Sequence, residues 1–246
     1  KTNSLSNPLN TVFFISFSEF TLSKIKVIEQ LCKTNYFITI GFDTKYFSNK
    51  AIFLKKLHEK ITNLKMAKIT IVPLNYHDQI HLYGKKIINF NGKWKNNPAK
   101  FGSLHWFFLS KYQYMWYLED DVYCKNWLDF LSSYNKNNSD LICNISELHI
   151  PNWAYDKWRI GDDCHAFDQA HLYVARYSKQ FIKFFFEYLT ACNELTSHHE
   201  LFIPYILNFY HLKHTNLIPS HKEKLFINNH FNTPNFNFTT NNINKY

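Results

Sequence analysis

The chain has 246 residues, of which 46% are hydrophobic, and its 28 Lys and Arg against 19 Asp and Glu leave a formal charge of +9. With 24 Phe, 16 Tyr and 6 Trp but only 5 Gly, 7 Pro and 5 Cys, it is neither disordered, collagenous nor a disulfide miniprotein. Its length suits one domain with a substantial core.

Thr11 to Ser18 reads as a buried strand, and Leu22, Ile25, Ile28 and Leu31 then recur at helical spacing before a second apolar run from Tyr36 to Phe42. Ile52, Leu54, Leu57, Ile61 and Leu64 mark another amphipathic helix, followed by a third strand from Ala67 to Leu74. Residues 76–97 break the pattern and read as an irregular segment over the sheet edge. Pro98 suits a first helical turn, Phe101 to Leu109 continue that helix, and Tyr114 to Leu118 form a short apolar strand. A helix from Asn126 to Tyr134, a strand from Leu141 to Ser146, a polar-aromatic loop from Glu147 to Asp168 and a strand from His171 to Tyr177 come next. Helices over Lys179 to Cys192 and His199 to Tyr210, a strand near Leu212 to Ile218 and an Asn-rich tail complete the chain. This alternation predicts an α/β fold, a mostly parallel central sheet with helices on both faces. Residues 1–10 read as an extension, 11–221 as the domain, and 222–246 as a tail packing on it or fraying from it.

The basic balance suits nucleic acid, an anionic membrane or a phosphate-bearing small molecule. No run of five or six Lys or Arg supports a nucleic-acid groove, and no nucleic-acid partner is expected. Part of the Lys, Asn, Phe, Tyr and Ile usage reflects the codon bias of an AT-rich genome. No C-x-x-C pair occurs among Cys32, Cys124, Cys143, Cys164 and Cys192, against a zinc ribbon or redox centre. Asn144-Ile145-Ser146 and Asn237-Phe238-Thr239 are glycosylation sequons of a kind that arises by chance in so Asn-rich a chain. No apolar stretch of 18 residues provides a membrane span. A first residue of Lys fits a trimmed or mature form, so a cytoplasmic location and the lumenal part of an anchored enzyme both stay open.

Glu119-Asp120-Asp121 ends the strand Tyr114 to Leu118, and the carboxyl ends of strands are where α/β sheets expose ligand-binding groups. Three adjacent carboxylates repel one another unless a cation neutralises them, and Mg²⁺ or Mn²⁺ would also bridge to a diphosphate. The alternative is a solvated acidic turn favoured by the dipole of the following helix.

With Tyr114-Met115-Trp116-Tyr117-Leu118-Glu119-Asp120-Asp121-Val122, then Trp127, and later Ser197-His198-His199-Glu200-Leu201-Phe202-Ile203-Pro204, the sequence resembles the GT-A nucleotide-sugar glycosyltransferases, in a divergent branch of viral or protist type. The E-D-D order departs from a strict D-x-D, with Glu119 and Asp121 standing as its outer acids. The resemblance implies a divalent-metal-dependent transfer from a nucleotide-diphosphate sugar to a glycan or glycoprotein acceptor. It implies Asp121 as metal ligand, with Glu119 and Asp120 on metal, ribose or sugar hydroxyls. His221, after Leu217 to Ser220, occupies the place of a metal-completing His, with His230 in reserve; a His there is also an ordinary surface residue.

An inverting transfer needs a carboxylate to take the acceptor proton, for which Glu200 is one candidate, although Ser197 with Glu200 also makes a capping box. Asp168 is the alternative, in a loop with Asp162, Asp163 and His165. Trp153, Tyr155, Trp158 and Phe167 of that loop could stack on sugar faces or simply pack a core. Asp43 and Ser16, at the ends of the second and first strands, are placed toward a nucleotide, and Lys100 and Arg176 could offset diphosphate charge.

His77-Asp78-Gln79-Ile80-His81 imitates a zinc-protease motif without its Glu or a clear helix, and no phosphate-cradling glycine motif or G-x-S-x-G occurs. Two other readings stand: a metal-dependent phosphodiesterase or nuclease, and a non-catalytic carbohydrate- or nucleic-acid-binding module.

Overall fold

The computed structural model describes residues 10–17, 19–20, 22–44, 46–60, 68–75, 98–119, 122–124, 126–147, 159–161, 164–165, 168–191, 199–217 and 225–227. Its strands are β1 (Thr11–Phe17), β2 (Phe37–Asp43), β3 (Ile69–Leu74), β4 (Tyr114–Leu118), β5 (Val122–Cys124), β6 (Leu141–Glu147), β7 (Arg159–Gly161), β8 (Cys164–His165), β9 (Asp168–Ser178), β10 (His214–Thr215) and β11 (Leu225–Ile227). Its helices are α1 (Leu22–Leu31), α2 (Lys50–Lys60), α3 (Pro98–Leu109), α4 (Trp127–Ser132), α5 (Lys179–Ala191) and α6 (His199–Phe209).

Seven strands form one sheet in the order β10-β6-β9-β4-β1-β2-β3. Neighbours are parallel except at β9, which runs antiparallel to β4 on one side and β6 on the other. The α/β expectation therefore holds. β1, buried at every position, has the continuous apolar sequence of a strand covered on both faces.

One face packs Phe13, Ile15 and Phe17 of β1 and Trp116 of β4 against Val27 and Ile28 of α1, Phe53 of α2 and Trp127 and Phe130 of α4. The other packs Val12, Phe14 and Tyr117 against Phe101 and Leu104 of α3, Phe181 and Phe185 of α5, and Phe202 and Ile206 of α6. Local chemistry sets the helix starts: Asn126 Oδ1 accepts from the N–H groups of Leu128 (3.1 Å) and Asp129 (3.3 Å), and Ser178 Oγ accepts from that of Phe181 at 2.9 Å.

Several expected elements change. The strand expected from His171 begins at Asp168, the expected Glu147–Asp168 loop carries the β7–β8 hairpin, and the Leu212–Ile218 strand shrinks to two residues. The expected tail carries β11, which pairs antiparallel with β5. Residues 76–97, with the His77 to His81 motif, lie outside the described residues.

Gly41 of β2 shows how tightly the middle of the sheet is filled. A Cβ there would stand 2.7 Å from Leu74 Cδ1 and from two carbons of the Phe14 ring. Gly41→Ala is expected to destabilise the fold by about 1–3 kcal/mol through overpacking, measurable as a lower urea midpoint at unchanged slope.

Candidate functional site

β1, β2 and β3 run outward on one side of the sheet and β4 lies on the other side of β1, so the strand order reverses between β1 and β4. In open α/β sheets the crevice outside the carboxyl ends of the strands at such a reversal is where ligands bind. Phe17 ends β1 there, Leu118 ends β4, and the acidic triplet follows directly.

Glu119 is half-buried, and its backbone is tied from both sides. Its N–H donates to the carbonyl of Tyr173 in β9 at 3.0 Å, and its carbonyl accepts from the N–H of Val122 at 3.3 Å, closing a turn between β4 and β5. Asp120 and Asp121 occupy that turn in sequence and lie outside the described residues. On its far side β5 pairs with β11, with Ile227 opposite Val122 and Leu225 opposite Cys124. His221 and His230, on either side of β11 in the chain, also lie outside the described residues. Among the described residues no group of three His, Cys, Asp or Glu side chains converges.

The remaining candidates collect at the same end of the sheet. Asp43 closes β2, half-buried, its carbonyl accepting from the N–H groups of Tyr46 and Phe47 at 3.1 Å each. Asp168, also half-buried, opens β9 opposite Glu147. The β6–β9 register slips between Ile142 and Asn144, β9 taking up three extra residues, and the ribbon then projects past β4. Glu147 stands three residues beyond the level of Leu118, roughly 10 Å. α3 and α6 both finish at the opposite end of the sheet, shortly before β4 and β10, so their first turns, with Lys100 and Glu200, lie at the carboxyl edge. Pro204 within α6 has no N–H to give the carbonyl of Glu200, which opens the helix ladder at that point.

Two expectations are corrected. Ser16 is buried, its hydroxyl 3.4 Å from that of Tyr117 inside the core, so its side chain does not face a ligand. Arg176, level with Trp116 and 2% exposed, gives its guanidinium to the carbonyls of Tyr134, Asn137 and Ser139. Burial lowers its pKa to about 10, with Tyr114, Tyr36 and Asp140 acting in the opposite sense, so it stays charged at neutral pH as a structural cation. The sequon residue Asn144 is likewise buried, which bars it from accepting a glycan. Asn237, Trp153, Tyr155, Trp158, Asp162, Asp163 and Phe167 lie outside the described residues.

Three groups at this edge were not legible beforehand. Asn144 Nδ2 donates to the hydroxyl of Tyr173 at 3.0 Å, the tyrosine whose carbonyl holds Glu119, while Asn144 Oδ1 has no partner among the described residues. Burial raises the Tyr173 pKa; the bond from Asn144 lowers it in part, and Cys143 adds to the rise, so the hydroxyl remains protonated. The interruption of the apolar run Leu141-Ile142-Cys143 by an amide was the available signal. Lys24, buried in α1, donates to the carbonyl of Glu19 at 3.0 Å and lies over the Phe17 ring, bracing the chain after β1.

The fold is of the GT-A glycosyltransferase type: a sheet of mixed direction with helices on both faces and an acid-bearing turn after the strand beside the reversal. The chain is similar to two crystal structures of galactosyltransferase LgtC, one in complex with donor and acceptor sugar analogues and one of an active-site mutant. Each has a TM-score of 0.50 at 13% identity, covering 84% of this chain and 72% of that one in the first case, 83% and 71% in the second. No family model and no curated protein matches the sequence.

Proposed function

We propose that the chain is a glycosyltransferase that moves a sugar from a nucleotide-diphosphate donor to a glycan or glycoprotein hydroxyl. The observation that carries this reading is the position of Glu119 beside the β1/β4 reversal of a GT-A-type sheet, with Asp120 and Asp121 next in the sequence. Glu119 is fixed there by Tyr173 and Val122, and three carboxylates consecutive in sequence would offer the oxygen-rich donor set of a hard divalent cation. Asp121 and Glu119 would hold Mn²⁺ or Mg²⁺, which when bound supplies positive charge for a diphosphate leaving group. Asp43 would receive a ribose or base, and Lys100, in the first turn of α3, would add charge.

In the reading with inversion, Glu200 or Asp168 takes the proton of the acceptor hydroxyl as its oxygen bonds to the anomeric carbon. The bond from that carbon to the diphosphate breaks, and its electron pair leaves on the phosphate oxygen. The half-burial of Asp168 on the projecting β6–β9 ribbon suits an acceptor lying over the edge.

The β5–β11 register favours His230 over His221 as a further ligand, because Ile227 faces Val122, next to Asp121, and His230 follows Ile227 by three residues. His221 precedes Leu225, at the other end of the pairing.

A thermal-shift panel of UDP-, GDP- and dTDP-sugars with and without Mn²⁺ tests the proposal. One nucleotide series near saturation is expected to raise Tm by about 5 °C or more, only with metal. His230→Ala should remove more of that metal-dependent shift than His221→Ala. A folded protein that responds to none of the donors would refute the reading.

A further inference from the structure

The opposite end of the sheet, where β1, β2, β3, β4, β6 and β10 all begin, carries a surface that sugar transfer does not use. Leu109, the last residue of α3, is 71% exposed, Phe209 at the end of α6 is 60% exposed, and Phe37 at the start of β2 is 44% exposed. Two of them have aromatic neighbours at this end. Phe37 lies 6.0 Å from Tyr112, just before β4, and Phe209 meets Tyr210, which stacks on Phe184 of α5 at 4.3 Å. From β2 to β10 is five strand spacings, about 24 Å, too wide a spread for a small-molecule pocket.

Exposed lysines stand among these side chains: Lys33 before β2, Lys111 before β4, Lys183 on α5 and Lys213 before β10. Among the described residues the acids nearby are few and partly engaged, apart from Glu59, exposed at the end of α2. Asp140 accepts from Ser178 Oγ and from the N–H of Lys213, Glu187 pairs with Lys183 at 3.7 Å, and Glu29 is exposed near the end of α1. The far end instead carries Asp43, Glu119, Glu147 and Asp168. Among the described residues the chain is therefore apolar and bears exposed lysines where the strands begin, while these acids, with the buried Lys24 and with Lys100 in the first turn of α3, belong to the edge where the parallel strands finish.

We propose that this amino edge seats the protein on an anionic lipid bilayer, with Phe37, Leu109 and Phe209 entering the headgroup region and the lysines meeting lipid phosphates and carboxylates. The charge pattern selects the occupant. A second copy would bring one lysine rim against another, and a nucleic-acid backbone would leave an aliphatic Leu109 in water, whereas an interface rewards apolar side chains ringed by lysine. Seated in this way, the acidic turn stands about 20 Å above the lipid, beyond the Debye length of about 8 Å at physiological salt, and escapes repulsion by the negative surface. No helix of the described residues is long and apolar enough to cross a membrane, so attachment would be peripheral.

Flotation with vesicles of phosphatidylcholine alone, or with about a third phosphatidylserine, tests this on the full chain. Binding to the anionic vesicles only, weakening with salt, is expected. Lys111→Gln with Lys213→Gln should reduce it about twenty-fold, and Leu109→Ser with Phe209→Ser on the order of ten-fold, at unchanged Tm. Equal binding to both vesicles, binding to neither, or pair variants that bind like the parent would overturn the proposal. Binding of duplex DNA with the same dependence on Leu109 and Phe209 would replace the bilayer by nucleic acid. Dimerisation abolished by the serine pair would replace it by a second copy.

Discussion

Asp121→Ala is expected to lower the turnover of nucleotide sugar on the order of 10³-fold while leaving the protein folded. The asymmetry follows from the turn itself. Three successive carboxylates raise the free energy of the uncharged-partner state by mutual repulsion, so removing one does not weaken the fold and can raise Tm slightly. What is lost is an oxygen ligand whose charge matters only when a cation and a diphosphate are present. Asp43→Asn, which alters the proposed nucleotide contact, should cost far less, within about ten-fold and mostly in KM, because one hydrogen bond to a ligand contributes only about 1 kcal/mol. Steady-state kinetics with circular dichroism on each variant separates the two. Turnover within a factor of about five of the parent for Asp121→Ala would remove the turn from the reaction.

Arg176→Met should be the most damaging change for stability. The guanidinium reaches the carbonyl of Asn137 at 2.7 Å, Ser139 at 3.1 Å and Tyr134 at 3.3 Å, and lies 4.5 Å from the Tyr114 ring centre. It thereby ties β9 to the chain between α4 and β6. Methionine fills a similar volume but withdraws the guanidinium from three carbonyls, of which that of Tyr134 keeps the N–H of Asn137, and breaking a buried charged network of this kind costs about 3–5 kcal/mol. For a chain of this length that is a fall in Tm of about 10 °C. Arg176→Lys should recover only part of it, since one ammonium cannot replace a planar fork spread over several carbonyls. A Tm within about 2 °C of the parent for the methionine variant would contradict this role.

The sheet was legible because its strands are short, apolar and separated by helices with clear periodicity, and Tyr114 to Leu118 running into three acids pointed to the carboxyl edge on which the proposed function rests. The direction of β9 was not. A strand's local pattern is the same whichever way it runs, and β9 is reversed by the connection from β6, whose composition gave no turn signal strong enough to fix it. Arg176 misled for a related reason: sequence shows a positive charge within a strand, not whether carbonyls enclose it. Ser16 misled because β1 is covered on both faces, so a hydroxyl one residue before the strand end is buried beside Tyr117. β11 was hidden in an Asn-rich tail because a three-residue strand acquires its identity from its partner, β5.

The most direct test of the account is release of nucleoside diphosphate from a nucleotide sugar by the purified chain, followed with and without Mn²⁺ and repeated with Asp121→Ala. Release that requires the metal and disappears in the variant is the predicted result. Release unaffected by metal and by Asp121, or cleavage of a plain phosphodiester in place of any nucleotide sugar, would contradict it.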